Sequence, residues 1–206
     1  MKPHLEVLEP EQHAVLERMA GPAAGEGFYL AGGTAVALHL GHRKSVDLDW
    51  FTEARAGDPL RLAGRLRDEG VNIEDVRTDR GTVHGLVEGV RVSLIEFRYP
   101  LLAPVERLER APIAALEDLA AMKLSAIAQR GTRRDFIDVH ALACEFRPLP
   151  ELLELYRRKF GVDDVAHMLY GLSYFDDAEG EQMPTMLHAT DWGAVKTAFR
   201  HWIREL

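Results

Sequence analysis

Apolar positions change their period about halfway along the chain. In the first half they fall into short runs and alternations. Residues 10–20 have near-helical spacing, and Gly21-Pro22 is expected to end that helix in a glycine- and alanine-rich loop over 21–27. Phe28-Tyr29-Leu30-Ala31 predicts a short buried strand, broken by Gly32-Gly33. Thr34 to Leu40 is apolar all round and predicts a short helix, with Gly41 just past its end. Val46, Leu48 and Trp50 then alternate with Asp47, Asp49 and Phe51, the period of a strand. Residues 58–69 predict a helix with Asp58 as cap, Pro59 in the first turn and Gly70 as stop. Strand-like pieces follow at 71–77, 82–88 and 90–98, with Gly89 marking a hairpin. From Pro112 the period becomes helical, over 112–129, 133–146, 150–160, 163–175 and 191–204, with an acidic loop at 176–190. The expected fold class is therefore α+β. A mixed-sheet core spans 1–108 and a helical C-terminal subdomain spans 109–206, with Pro100 and Pro104 punctuating the junction.

Composition narrows this picture without changing it. The chain has 206 residues, 47% of them hydrophobic, enough for one core of ordinary size. Its 33 acidic and 25 basic side chains leave a net charge of −8. That balance argues against wrapping a long nucleic acid duplex, but leaves room for a local basic cluster that meets one strand end. A single cysteine, Cys144, excludes an internal disulfide and a cysteine zinc site, and is expected to act as a small core hydrophobe. The longest uncharged run, Gly27 to His42, is broken by glycines and falls short of the ~20 residues that span a bilayer. The stretch Met1 to Glu17 lacks a signal-peptide pattern, so a soluble, cytoplasmic protein without membrane partners is expected.

The candidate chemistry lies in the order strand, Gly-Gly-Thr, helix, Asp-x-Asp. Gly32 and Gly33 let backbone come close to a ligand, and a helix starting at Thr34 aims its first amides there, which suits an anion. Asp47 and Asp49, two apart on a strand, face the same way and can hold a divalent cation such as Mg²⁺ together with phosphate oxygens. Glu96 closes the row Val90, Val92, Leu94 and is the candidate third ligand. Each piece alone is a common structural motif, and only the ordered set carries weight. Lys123 and Arg130 lie at one edge of the stripe Ile113, Leu116, Ala120, Leu124, Ile127. They read either as a snorkelling lysine with a helix-end partner or as side chains reaching into a cleft. Arg134 and Asp138 are spaced to pair along a helix, and Asp135 lies near the apolar stripe of that helix. Arg43 and Ser45 are candidate phosphate contacts, and His42 suits a structural hydrogen bond equally well. His39 reads as core, and Trp192 and Trp202 as packing anchors.

These residues carry a resemblance. Phe28 to Thr34 followed by His42-Arg43-Lys44-Ser45-Val46-Asp47-Leu48-Asp49 resembles the nucleotidyltransferases of the DNA polymerase β superfamily. It is most similar to the AbiEii/AbiGii-type toxins of type IV toxin–antitoxin systems. Two later motifs of that branch stand here as Lys123 to Arg130 and as Arg134-Asp135-Phe136-Ile137-Asp138. The resemblance covers about residues 28–145 and implies a polymerase-β-like core. It implies an enzyme that moves an NMP from an NTP to an acceptor hydroxyl with Mg²⁺ and releases pyrophosphate. Asp47, Asp49 and Lys123 would then be catalytic, with Asp135 and Asp138 in a role not resolved between them. Gly32, Gly33, Thr34, Arg43, Ser45 and Arg130 would bind the nucleotide, and Asp47, Asp49 and Glu96 the metal. Kinship further implies a growth-inhibitory toxin, a tRNA 3′ end as acceptor and a cognate antitoxin, and leaves the oligomeric state open. Two other readings stay open: the same chemistry on a small molecule, as in antibiotic nucleotidyltransferases, and a nucleotide- or partner-binding module without catalysis.

Overall fold

The computed structural model describes residues 3–79 and 81–206. A 3-10 turn at Leu5–Val7 leads into helix α1 (Pro10–Gly25), which runs through Pro22. The helix was expected to stop at Gly21-Pro22. It continues for another turn because Ala23 is fully buried and the carbonyls of Pro22, Ala23 and Ala24 accept the amides of Glu26, Phe28 and Gly27. Strand β1 (Tyr29–Ala31), helix α2 (Gly32–Leu40), strand β2 (Leu48–Thr52) and helix α3 (Pro59–Asp68) follow. The Asp58 carboxylate accepts the Leu60 amide at the start of α3, as the cap predicted.

Strands β3 (Glu74–Asp79), β4 (Thr82–Val87) and β5 (Val90–Glu96) form an antiparallel meander. The two-residue turn from β4 to β5 holds Glu88 at φ 50° and Gly89 at φ 80°. Two left-handed residues in succession give the twist such a hairpin needs. Strands β6 (Glu106–Leu108) and β7 (Ala111–Ile113) make a second hairpin. Among the described residues the sheet order is β3-β4-β5-β2-β1-β7-β6. Strand β1 pairs antiparallel with β2 and parallel with β7, and β2 pairs parallel with β5.

The sheet therefore extends past the junction expected near residue 108. A helix was expected over 112–129, but Pro112 and Ile113 belong to a strand against β1, and helix α4 (Leu116–Gln129) starts after it. Helices α5 (Arg133–Glu145), α6 (Leu149–Phe160), α7 (Ala166–Ser173), α8 (Asp176–Glu179) and α9 (Trp192–Arg204) complete the chain. Part of the expected acidic loop is thus the short helix α8. The fold is α+β, and one apolar cluster runs from sheet to helices without a break.

Alternation along β2 sets up everything that follows. Leu48, Trp50 and Thr52 are buried, whereas Asp49 and Phe51 are half-buried on the opposite face. Helix α4 lies at the centre of the helical layer, against α2, α5, α6 and α7. Trp192 and Trp202 pack on Phe136 and Phe199 as expected of anchors. Cys144 departs from expectation: it is exposed on α5, 3.8 Å from His140 Nε2. Among the described residues no helix is long and apolar enough to cross a membrane.

Candidate active site

The end of β1, the start of α2 and the entry to β2 meet at one point. Gly32 opens α2 at φ 69°, and a Cβ there would lie 2.9 Å from Asp49 Oδ2. Only glycine satisfies both the left-handed backbone and the close carboxylate. At Gly33 a Cβ would lie 2.5 Å from Arg43 Nη2, so the second glycine makes room for a guanidinium of this chain. The Thr34 hydroxyl bonds the Asp47 carbonyl and lies 2.7 Å from Ser45 Oγ, which ties the first turn of α2 to the loop entering β2. Asp47 is on that loop, just before the strand, and Asp49 is within it.

The two carboxylates lie in an open cavity of about 480 Å³. Gly33, Thr34, Ser45, Asp47 and Asp49 form one side, and Lys123, Arg130, Arg134 and Arg91 stand around them. Asp47 faces Arg91, with Nε 2.7 Å from Oδ1, and Arg134 Nη1 lies 3.8 Å from Oδ2. Oδ1 is nevertheless buried and receives no hydrogen bond. Burial pushes the Asp49 carboxyl up, with Asp47 adding to the effect. A hydrogen bond from Ser93 and the charges of Lys123 and Arg130 pull it partly back.

An ion network borders the cavity, lining it through Arg43, Lys123, Arg130 and Asp135. Asp138, fully buried, accepts Arg43 Nε at 2.7 Å and Nη2 at 2.8 Å, and His42 Nε2 at 2.8 Å. Lys123 Nζ lies 2.7 Å from Asp138 Oδ2 and donates to Asp135 Oδ1 at 2.9 Å. Asp135 also accepts Arg130 Nε at 2.8 Å, Arg130 Nη2 at 3.0 Å and the Thr132 hydroxyl at 2.6 Å. Burial alone would raise both carboxyls. The cations outweigh it: Arg43 and Lys123 hold Asp138 far below the usual carboxylate range, and Lys123 and Arg130 do the same for Asp135.

This network assigns places to several expected site residues. Arg43, expected to meet phosphate, has its guanidinium bound to Asp138 and to the Lys44 carbonyl. His42 makes the structural hydrogen bond that was one of its two readings. Lys123 is only 5% exposed and reaches the cavity while gripping two carboxylates, so it is not a snorkelling surface lysine. Asp135 and Asp138 are its counterions.

Glu96 is not brought to the cluster. The parallel register sets Asp49 beside Ser93 and Thr52 beside Glu96, so Glu96 points to the other face of the sheet. There Glu96 Oε2 accepts the Ala56 amide at 3.1 Å. Ser93 takes the place next to Asp49, and across it stands His84 on β4, with Nδ1 3.2 Å from Ser93 Oγ. The sequence reading passed over both residues; with the β2–β5 register known, they follow from counting along the strands. It also missed Asp118 and Lys159, buried partners at 2.6 Å, where Asp118 accepts the amides of Leu102 and Ala103 as well. Elsewhere, among the described residues, His13, Glu17 and Glu109 bring three possible metal-ligating atoms within 4.8 Å of one another between α1 and the β6–β7 turn. None of the three lines the cavity.

Comparison with known proteins adds three findings. The family described as "Nucleotidyl transferase AbiEii toxin, Type IV TA system" matches residues 14–113 and 95–201. An uncharacterised protein of Aquifex aeolicus (strain VF5) is 33% identical over 201 residues, covering 96% of this chain and 97% of its own. Among solved structures, MenT4, a nucleotidyltransferase toxin of Mycobacterium tuberculosis, superposes with a TM-score of 0.63 at 16% identity, over 94% of this chain and 82% of that one. JHP933 of Helicobacter pylori superposes with a TM-score of 0.55 at 19% identity, over 96% and 92%. At such identities these two likenesses speak for the fold.

Proposed function

The chain belongs to the AbiEii family of nucleotidyltransferase toxins, and from that premise we propose a Mg²⁺-dependent transfer of NMP from an NTP to the 3′ end of a tRNA. The observation that carries this reading is the juxtaposition of Asp47 and Asp49 with five cationic side chains around one cavity. Carboxylate oxygens are the donors a hard divalent ion takes, and Asp47 Oδ1, buried and without a hydrogen bond, meets only the Arg91 guanidinium as an ion pair that a bound cation would replace. Asp47 and Asp49 would hold Mg²⁺, which supplies charge neutralisation at the α-phosphate and orients the attacking hydroxyl.

The chain's own residues do the rest. Lys123 and Arg130 face the cavity with fixed orientation, because Asp135 and Asp138 hold them from behind. They bind the β- and γ-phosphates and stabilise the charge that builds on the leaving pyrophosphate. Asp135 and Asp138 act as positioning residues. Arg91 and Arg134, which pair with Asp47 here, can turn to phosphate oxygens once a cation neutralises that carboxylate. Gly32 and Gly33 let Asp49 and Arg43 come close to the first turn of α2, and Thr34 and Ser45 brace the loop that presents Asp47. Of the sequence cluster Arg130, Arg133 and Arg134, Arg133 is turned to the carbonyls of Ala178 and Glu179, so Arg130 and Arg134 at the cavity would meet an RNA strand end, and binding there should weaken with salt. As a member of a type IV toxin–antitoxin family the protein has an antitoxin as its expected partner.

The test is incubation with each of four α-labelled NTPs, Mg²⁺ and total RNA, with aminoglycoside-like cationic small molecules as a parallel acceptor. Label on tRNA that disappears in Asp47→Ala and Asp49→Ala supports the reading. Label on small molecules alone replaces the acceptor, and transfer that survives both substitutions overturns the catalytic assignment.

A further inference from the structure

A second chamber of about 290 Å³ adjoins the cationic cavity and shares Gly33, Asp49, His84, Ser93, Lys123 and Arg130 with it. Its remaining lining is of a different chemistry. Phe51 and Ile95, neighbours across β2 and β5, form the floor, and Phe97, Leu119, Met122 and Ala126 form the walls. Beyond the shared residues, no charged side chain lines it among the described residues. We propose that this annex seats the nucleobase of the incoming NTP, and that Gln129 and Ser125 at its rim set which base is accepted. The proposal rests on the NTP reading above and adds to it where the uncharged part of the substrate goes.

Three observations support it. The cationic cavity and the annex meet at Asp49, so a ligand with its triphosphate against Lys123 and Arg130 can extend its nucleoside into the annex without crossing a wall. The lining suits a flat aromatic heterocycle, since Phe97 stands edge-to-face on Phe51 with ring centres 5.7 Å apart. The wall is also preformed. Lys159 lies 5.6 Å over the Phe97 ring and is bound to buried Asp118, which in turn accepts the amides of Leu102 and Ala103. The segment that carries Phe97 is therefore tied to α4 and α6 before any ligand arrives.

The rim supplies the discrimination. Gln129 Nε2 donates to Ser125 Oγ at 2.9 Å, which orients the amide and leaves Gln129 Oε1 as an acceptor and the Ser125 hydroxyl proton as a donor. A base edge carries donors and acceptors in an order that differs among the four bases, and an acceptor beside a donor matches some orders better than others.

The experiment is equilibrium binding of each NTP and of inorganic tripolyphosphate by calorimetry with Mg²⁺, so that it needs no transfer activity. We expect wild-type protein to bind its best NTP about tenfold or more tightly than tripolyphosphate, the scale of stacking one base. Met122→Trp, which fills the annex, should erase that margin and leave tripolyphosphate affinity unchanged. Gln129→Leu, at the exposed rim, should compress the ranking among the four NTPs to within about threefold. Equal affinity of wild type for NTP and tripolyphosphate overturns the proposal, as does an unchanged NTP margin in Met122→Trp. Should Met122→Trp lose tripolyphosphate as well, misfolding is the cause and Gln129→Leu decides. Base-dependent binding without labelled transfer would sink the enzymatic reading and leave the annex standing. Transfer without base-dependent binding would do the reverse.

Discussion

Two pairs of aspartates stand near Lys123, and their surroundings drive the acidity of Asp49 apart from that of Asp135 and Asp138. Asp47 and Asp49 border an open cavity, and burial with mutual repulsion pushes Asp49 up. Asp135 and Asp138 sit in a closed network in which each carboxylate meets several cationic or hydroxyl donors, and both are held far down. A carboxylate whose lone pairs are all taken cannot accept a metal ion or a proton, whereas one left short of donors can take either. The first pair is thus equipped for chemistry and the second for holding cations in place, although both read as Asp-rich motifs of the same length scale. The same contrast explains Arg43 and Lys123. Both line the cavity, but Arg43 is committed to Asp138 and the Lys44 carbonyl, while Lys123 spans both carboxylates of the second pair.

Substitution can break that comparison. The largest effect is expected from Asp49→Asn, which removes charge at the open pair while keeping shape. Transfer should fall by at least about 10²–10³-fold, the scale of one lost electrostatic contact in a transition state. The melting temperature should hold or rise, because a charge that burial disfavours is gone. Asp138→Ala should do the opposite. It leaves Arg43, Lys123 and His42 buried without their acceptor, and stability should drop by about 3–5 kcal/mol, read from urea unfolding. A stable Asp138→Ala protein that merely loses activity would mean that the closed pair is chemical after all.

Acid titration sharpens the same contrast. Asp135 and Asp138 have folded values below their unfolded ones, so their contribution to stability is fully present above about pH 4 and is lost as pH falls through the folded values. Thermal melts should therefore stay flat from neutral pH down to about 4 on account of this network, then decline. Asp138→Asn should remove much of that acid-side decline. A wild-type decline already complete by pH 5 would contradict the network.

Much of this was legible from spacing. The Asp-x-Asp strand showed in a period of two, and the Gly-Gly break before an apolar helix marked the junction where the site forms. What did not show was register and closure. Pro112 suits a helix first turn or a short strand equally, so the three-residue β7 was hidden until its partner β1 was in place. Arg43 and Asp138 lie 95 residues apart, and no local pattern says that a phosphate-type arginine will be enclosed on a helix carboxylate. Asp118 lies in the first turn of α4 and Lys159 in the last turn of α6, places where an acid and a base are ordinary. Only tertiary packing turns them into a buried pair.

The smallest expected effect is the most direct check on register. Glu96 shares its strand face with Val90, Val92 and Leu94, which pack into the core, and the β2–β5 pairing puts Asp49 beside Ser93. Its carboxylate braces the Ala56 amide in the loop after β2, at a strand end where water can replace a lost bond. Glu96→Gln should accordingly leave transfer within about twofold and cost under about 1 kcal/mol, because the amide oxygen can accept the same hydrogen bond. Ser93→Ala, on the face of Asp49, removes the hydrogen bond that lowers that carboxyl and should reduce transfer by more than Glu96→Gln does. If the order of the two effects is reversed, the third ligand comes from residue 96 and the strand pairing described above is off by an odd number of residues.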